Sequence, residues 1–319
     1  VTGVQTCALP IYWGIIIRSQ GVDDFIMSQQ KILDGVRVLD FSRYIAGPYC
    51  AALLGWLGAD VIRIDKPGGG EDRFVGPVGD EYSAVFVKTG FNKRSLTLDL
   101  KHEKAPEIIE RLVKDADVVI VNMPPKVLAR MGLDYDTLSA INPGIVLTTQ
   151  TCFGHQGPWA NRGGFDGIGQ VMSGNAYLSG FPDDPRRAAA PYVDYSTAVL
   201  GALGTVSALW QRQATGKGQH VQASLLGSAF GVFAGPLIEQ AAVQANRIPL
   251  GNRGQTSAPT DLFKAKDGSL ITQVVGKGLF SRIAKVVGHE EWCDDARFVT
   301  DEQRGRSEEH TSELQSPDH

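Results

Sequence analysis

Apolar and polar positions in this chain fall into blocks that repeat the order strand, turn, helix. VRVLDF (36–41) is a short β-rich run leading into a turn that contains Ala46, Gly47 and Pro48. Residues 49–57 then carry Ala, Leu and Trp at helical spacing, and Gly58 suits the end of that helix. ADVIRID (59–65) is a second apolar strand. Strand, helix and strand within about thirty residues make a βαβ unit. Such a unit pairs its strands in parallel, because the crossover returns the chain to the end where it began.

The pattern continues. An amphipathic helix is predicted over 103–115, a strand at ADVVIVNM (116–123), short helices over 125–131 and 134–140, and a strand at GIVLTTQT (144–151). Gly- and Pro-rich loops cover 152–164 and 180–191. A long Ala/Leu helix is predicted over 195–213, then a strand at 219–224 and another apolar helix. The resulting expectation is an α/β fold: a Rossmann-like parallel sheet with helices on both faces and ligands near the strand C-terminal ends. From about 247 the composition shifts to Gly-, Asn- and Lys-bearing turns with short strands such as LITQVV (270–275), read as the start of a smaller second domain. The expected division is a Rossmann-like domain over 27–225 and a linker helix with part of a small domain over 226–306.

Composition alters this picture at the ends. The 319 residues carry a net charge of -4. The opening VTGVQTCALPI and closing SEEHTSELQSPDH resemble translated adapter sequence, so residues 1–26 and 307–319 are expected to be non-native and Met27 to be the start. Without them 30 basic residues face 29 acidic ones, and the charge becomes +1. Neither value, with no basic block or interleaved aromatic stripe, suits a nucleic-acid surface. Cysteines 7, 50, 152 and 293 form no CxxC pair and read as reduced thiols, neither disulfides nor a metal site. IYWGIII (11–17) is too short for a bilayer, which needs about 20 apolar residues. A cytoplasmic protein without a membrane partner is expected.

Most chemistry finds little support. The first βα turn reads SRYIAGP and lacks the glycines of G-x-G-x-x-G, so Asp65 at the end of the second strand is not read as a ribose ligand. TGKGQ does not have P-loop spacing, and Gly216 within it suits a helix C-cap. His102, His155, His220 and His289 lack ligand spacing and read as surface or satisfied core residues. Ser196 lies in no G-x-S-x-G elbow. Two acids remain, Asp166 in GGFDGIGQVMSG and Asp194 in APYVDYSTAVLGAL. Each precedes an apolar helical pattern. Each can be an N-cap or a catalytic carboxylate, and an N-terminal carboxylate is expected to stay ionised.

LDGVRVLDFSRYIAGPYCAALLGWLGADVIRIDKPGGGEDR, NKRSLTLDLK, GFDGIGQVMSG and TGKGQHVQASLL, in this order, resemble the signature stretches of the class III CoA-transferase (CaiB/BaiF) family. The resemblance spans about 31–306, and family members continue further at the C-terminus. It implies transfer of CoA from an acyl-CoA to a free carboxylic acid through aspartyl intermediates, with Asp194 as the catalytic aspartate. It implies CoA contacts at Ile45 and Ala46, at Lys66, at Leu98, Asp99, Leu100 and Lys101, and at Asn122, Met123, Pro124 and Arg130. Asp166 is expected to bind or orient CoA, or to cap its helix. No permanently bound cofactor is implied, coenzyme A being a substrate, and the family forms interlocked homodimers. Related α-methylacyl-CoA racemases place a His before the acid matching Asp166. Here that residue is Phe165, which supplies neither base nor acid and argues for transfer. An inactive CoA-binding module is the remaining alternative.

Overall fold

A computed structural model describes residues 31–76 and 82–312. The expected leader 1–26, Cys7, IYWGIII and Met27 lie outside them, as does the end of the expected tail, 313–319.

The strands are β1 (Arg37–Asp40), β2 (Asp60–Asp65), β3 (Lys93–Thr97), β4 (Val118–Val121), β5 (Val146–Thr151) and β6 (His220–Ser224). They form one sheet in the order β3-β2-β1-β4-β5-β6, and every neighbouring pair is parallel. All six carboxyl ends therefore emerge on one edge. The order reverses between β1 and β4, the position where open α/β sheets leave a crevice.

Helices α1 (Ala46–Trp56), α2 (Ala84–Gly90), α3 (Ala105–Lys114), α4 (Pro125–Met131), α5 (Tyr135–Ile141), α6 (Asp166–Met172), α7 (Asn175–Leu178) and α8 (Tyr192–Thr215) belong to or flank this sheet. Alternation along the strands sorts the core into two faces. Leu39, Val119, Val121 and Leu147 pack with Ile109 of α3 and Leu138 of α5. Val38, Val118, Ile120 and Val146 pack with Ala51 and Leu54 of α1 and with Ala198, Ala202 and Leu209 of α8. Gly216, at φ +67°, ends α8 by donating its N–H to Arg212 O, as its sequence position suggested.

Beyond β6 come α9 (Leu225–Val232), α10 (Ala234–Val243), the antiparallel hairpin β7 (Leu262–Ala265) and β8 (Gly268–Ile271), then α11 (Gly276–Val287) and α12 (Asp301–Ser312). Val274, Phe280 and Phe298 form a separate small core there. The strand expected over 270–275 reaches only Ile271, and the apolar helix after β6 is broken, α9 and α10 meeting at 71°. That bent pair has the length and apolarity of a broken span; no single described helix does.

Several elements escaped the sequence pattern, among them β3 and α2 on the sheet and α7, α11 and α12 beyond it. β3 is an edge strand whose residues, apart from the buried side chain of Lys93, are exposed or half-buried, so KRSLT has no apolar run to reveal it. α2 is only seven residues, started by the Ser83 hydroxyl accepting from Phe86 N–H. α1 also begins three residues before its expected start, because Pro48 fits a first helical turn, where no N–H is needed.

Candidate active site

The β1–α1 turn and the loop after β4 face each other across the switch point and are tied together. Arg43 N–H donates to Asn122 Oδ1 at 2.9 Å, and Asn122 Nδ2 donates to Arg43 O at 2.6 Å. Tyr44 is held at φ +67°, a left-handed conformation uncommon for an aromatic residue, and its ring meets the edge of Phe165 at 5.2 Å. The turn is thus anchored on β4 and on the segment entering α6.

Buried charges support this edge from beneath. Lys93 Nζ donates to Asp40 Oδ2 at 2.8 Å and to Pro48 O at 2.7 Å, with both side chains almost wholly buried. Burial alone would raise the Asp40 pKa, but Lys93, Arg63 and Ser42 outweigh it and hold the carboxyl below its usual range. Arg63 in turn bridges Asp65 at 3.0 Å and Asp72 at 2.8 Å.

The two acids singled out in the sequence are joined. Neither caps its own helix. Asp166 is the first residue of α6, whose N-cap is Phe165, and Asp194 is the third residue of α8, whose N-cap is Pro191. Asp166 Oδ2 instead accepts from the backbone N–H groups of Val193 at 2.8 Å and Asp194 at 3.2 Å. It caps the helix that carries Asp194, because Pro191 has no side-chain acceptor for those donors. Its other oxygen accepts from Gln170 Nε2, and Gln170 Oε1 accepts from Ala188 N–H at 2.8 Å. One buried carboxylate therefore fixes both the start of α8 and the loop before it.

Asp194 is 9 % exposed. Burial first, and the neighbouring Asp166 charge second, push its pKa up to about 7. This corrects the expectation that a helix N-terminus alone keeps the group ionised: desolvation and a like charge outweigh the dipole. Near neutrality the carboxyl is poised between its two forms.

Asp194 lines a cleft of about 880 Å³ together with Ile45, Ala46, Asn122, Met123 and Pro124. The structure thus brings together three of the sequence-predicted groups. Lys66, Leu98, Asp99, Leu100, Lys101 and Arg130 do not line this cleft, nor does Asp166, which stands behind it. Lys66 and the 98–101 segment directly follow the carboxyl ends of β2 and β3, further along the same edge. Lys66 Nζ pairs with Glu71 at 2.5 Å, and Glu71 also holds Arg43 at 3.2 Å.

The cleft also contains residues that the sequence reading passed over: Arg43, Gln150, Thr151, Cys152, Arg162 and Arg187. Gln150 is 2 % exposed. Its carboxamide neighbours the Cys50 thiol, a weak partner, and neither its oxygen nor its nitrogen completes a hydrogen bond with a described residue. The Thr151 hydroxyl is likewise unpaired. The polar run TTQT closing a strand that begins IVL was the signal available for them. Cys152 is raised to about 11 by burial and by Asp194, so its thiol stays protonated at neutral pH. Among the described residues, no histidine lines the cleft. His220 bonds Thr149 Oγ1 at 3.0 Å and meets the edge of His155 at 4.9 Å, while His289 stacks on Trp292.

Comparison with known proteins agrees with this architecture. The family model described as CoA-transferase family III matches residues 33–316. The succinate–glutarate CoA-transferase of Agrobacterium fabrum is 35% identical over 281 residues, covering 85% of this chain and 70% of that protein. The succinyl-CoA–D-citramalate CoA-transferase of Chloroflexus aurantiacus is 34% identical over 293 residues, covering 88% and 70%. Among solved structures, a CaiB/BaiF family protein from Brucella suis matches with a TM-score of 0.78 at 35% identity, over 90% of this chain and 77% of that one. The Mycobacterium tuberculosis protein Rv3272 matches with a TM-score of 0.79 at 29% identity, over 90% and 78%.

Proposed function

This chain is a member of CoA-transferase family III, and from that premise we propose that it moves CoA between carboxylic acids with Asp194 as the transient carrier. The observation that carries the reading is the placement of the Asp194 carboxyl: withdrawn from solvent, on the wall of the switch-point cleft, on a helix start held by Asp166.

In the proposed cycle, an Asp194 oxygen attacks the carbonyl of the donor thioester. A C–O bond forms, the C–S bond breaks, and CoA leaves as thiolate. The thiolate attacks the aspartyl carbonyl of the mixed anhydride, releasing the donor acid and leaving an aspartyl-CoA thioester. The acceptor carboxylate attacks that thioester, again expelling the thiolate and forming a second anhydride. The thiolate then takes the acceptor acyl group, and Asp194 returns as a carboxylate. The anhydrides lie above the thioesters in energy, but the overall reaction exchanges one acid and thioester for another of similar energy. The carboxylate acts as a covalent carrier. Anhydrides hydrolyse, which makes the shielding of Asp194 part of the chemistry.

Ile45, Ala46 and the Asn122–Pro124 loop are assigned to the part of CoA nearest Asp194. Lys66, Leu98–Lys101 and Arg130 are assigned to its more distant parts, with Lys66 and Lys101 acting as point charges toward phosphate. Asp166 is assigned a positioning role on Asp194. The relatives named above act on succinate, glutarate and citramalate, and dicarboxylic acids are proposed as the substrate class here. Apolar side chains exposed on α8, α9 and α10, among them Leu203, Trp210, Val232, Ile238 and Val243, support assembly as a homodimer. Phe165 at the cleft, with no histidine beside it, disfavours proton abstraction from Cα.

The test is mass spectrometry after incubation with an acyl-CoA. A CoA adduct on the peptide containing Asp194, with exchange of CoA between acids, is the expected result. Both must vanish in Asp194→Ala while its melting transition persists. Exchange that survives the substitution overturns the reading.

A further inference from the structure

Three arginines line the cleft that contains Asp194, and they are not equivalent. Arg43 is paired with Glu71 at 3.2 Å, and Arg162 lies over the Trp159 ring at 5.0 Å. Arg187 has no acidic partner among the described residues. Its neighbour Arg186 is engaged elsewhere, pairing with Asp184 and lying over Phe181. Arg187 is nevertheless not on a free loop, since the next residue, Ala188, donates its N–H to the fully buried Gln170, whose amide is bound to Asp166. Asp166 also holds the backbone of Asp194. The backbone that carries Arg187 and the backbone of the carboxyl carrier are thus tied to one buried acid, Asp166.

Electrostatics says what such a cation is for. Asp194 already has Asp166 as a like-charged neighbour, and an incoming carboxylic acid adds another negative charge. The carboxylate that reacts loses its charge on acylation, so it does not require a permanent counter-ion. A second carboxylate on the same substrate keeps its charge throughout the cycle, and a guanidinium, protonated at any working pH, is its natural bidentate partner. The phosphates of CoA are separated from its sulfur by the pantetheine arm, so an anion site in the cleft of the acyl carrier meets the acyl group and not the diphosphate.

We infer that Arg187 is the specificity-determining residue for the acid substrate, receiving the spectator carboxylate of a dicarboxylic acid while the other carboxyl exchanges on Asp194. This rests on the transfer reading above, and it is tested by binding so that the two can fail separately. Succinate and butyrate are titrated calorimetrically into the full chain saturated with CoA, comparing wild type, Arg187→Ala and Arg187→Lys. The expected result is a preference for succinate that falls about 10- to 100-fold in Arg187→Ala, the range for a lost hydrogen bond to a charged group. Arg187→Lys should recover part of it, as a point charge without the fork. CoA itself should bind Arg187→Ala as it binds the wild type. An equal succinate-to-butyrate ratio in wild type and Arg187→Ala overturns the inference, as does a loss confined to CoA affinity, which would make Arg187 a phosphate contact. Preserved succinate selectivity without any Asp194-dependent exchange would defeat the transfer reading while leaving Arg187 as the diacid-binding cation.

Discussion

Asp166 Oδ2 accepts the backbone N–H of Asp194 at 3.2 Å, so one acid holds the main chain of the other while its charge acts on the other's side chain. The hydrogen bond stabilises the first turn of α8 and fixes where the Asp194 carboxyl stands. The charge opposes ionisation of that carboxyl. Position and proton affinity are therefore set by the same residue, and they can be separated by substitution.

Asp166→Asn keeps an oxygen acceptor for the helix start but removes the charge. Asp194 should then titrate below its present value of about 7. The acidic limb of the CoA-exchange rate against pH moves to lower pH in this variant, and thermal stability changes by less than in Asp166→Ala, where the cap is lost. Removing a cap typically costs about 1 kcal/mol. An unshifted limb would show that burial alone raises the group.

Stability should also depend on pH through Asp194. Its folded pKa, about 7, lies above the ordinary 3.8, so between these values the folded chain binds the proton and the unfolded chain does not. Stability therefore declines as pH rises from about 4 to 7. Asp194→Asn should flatten that decline, with a gain on the order of 2 kcal/mol at pH 8 and little at pH 4, after discounting for partial solvation. Urea denaturation at both pH values checks the sign.

Lys93→Met leaves Asp40 buried without its main counter-charge and Pro48 O without its donor. Breaking a buried ion pair from one side costs roughly 3–5 kcal/mol. The urea midpoint should fall accordingly at unchanged slope. A change below about 1 kcal/mol would mean that Arg63 alone compensates Asp40.

Gly201 lies two helical turns after Asp194 on α8, and a Cβ there would come within 2.1 Å of Gln150 Nε2. Gly201→Ala should displace the Gln150 carboxamide in the cleft wall. Overpacking of this kind costs about 1–3 kcal/mol. A melting transition and acid affinity both equal to wild type would show that Gln150 swings away freely.

Local order along the chain was sufficient for much of the architecture. Short, nearly continuous apolar runs in VRVLDF, ADVIRID, ADVVIVNM and GIVLTTQT specified buried strands, and their separation by helices implied parallel pairing. The helix over 125–131 has the expected bounds, since Pro124, Pro125 and Gly132 punctuate it. β3 was not legible, because an edge strand buries too little to need an apolar pattern.

The sequence by itself therefore determined five of the six parallel strands and the helices that join them, which follow from hydrophobic periodicity and short-range backbone preference. It also set apart two acids that precede apolar helical patterns, while the catalytic reading of Asp194 came from the resemblance to the family. Only the tertiary structure decided that Asp166 caps the helix of Asp194, that Arg187 shares the cleft with it, and that the carboxyl titrates near neutrality. Those are properties of distance and desolvation between segments remote in the chain. The 28 positions from Asp166 to Asp194 carry no periodic signal of their meeting.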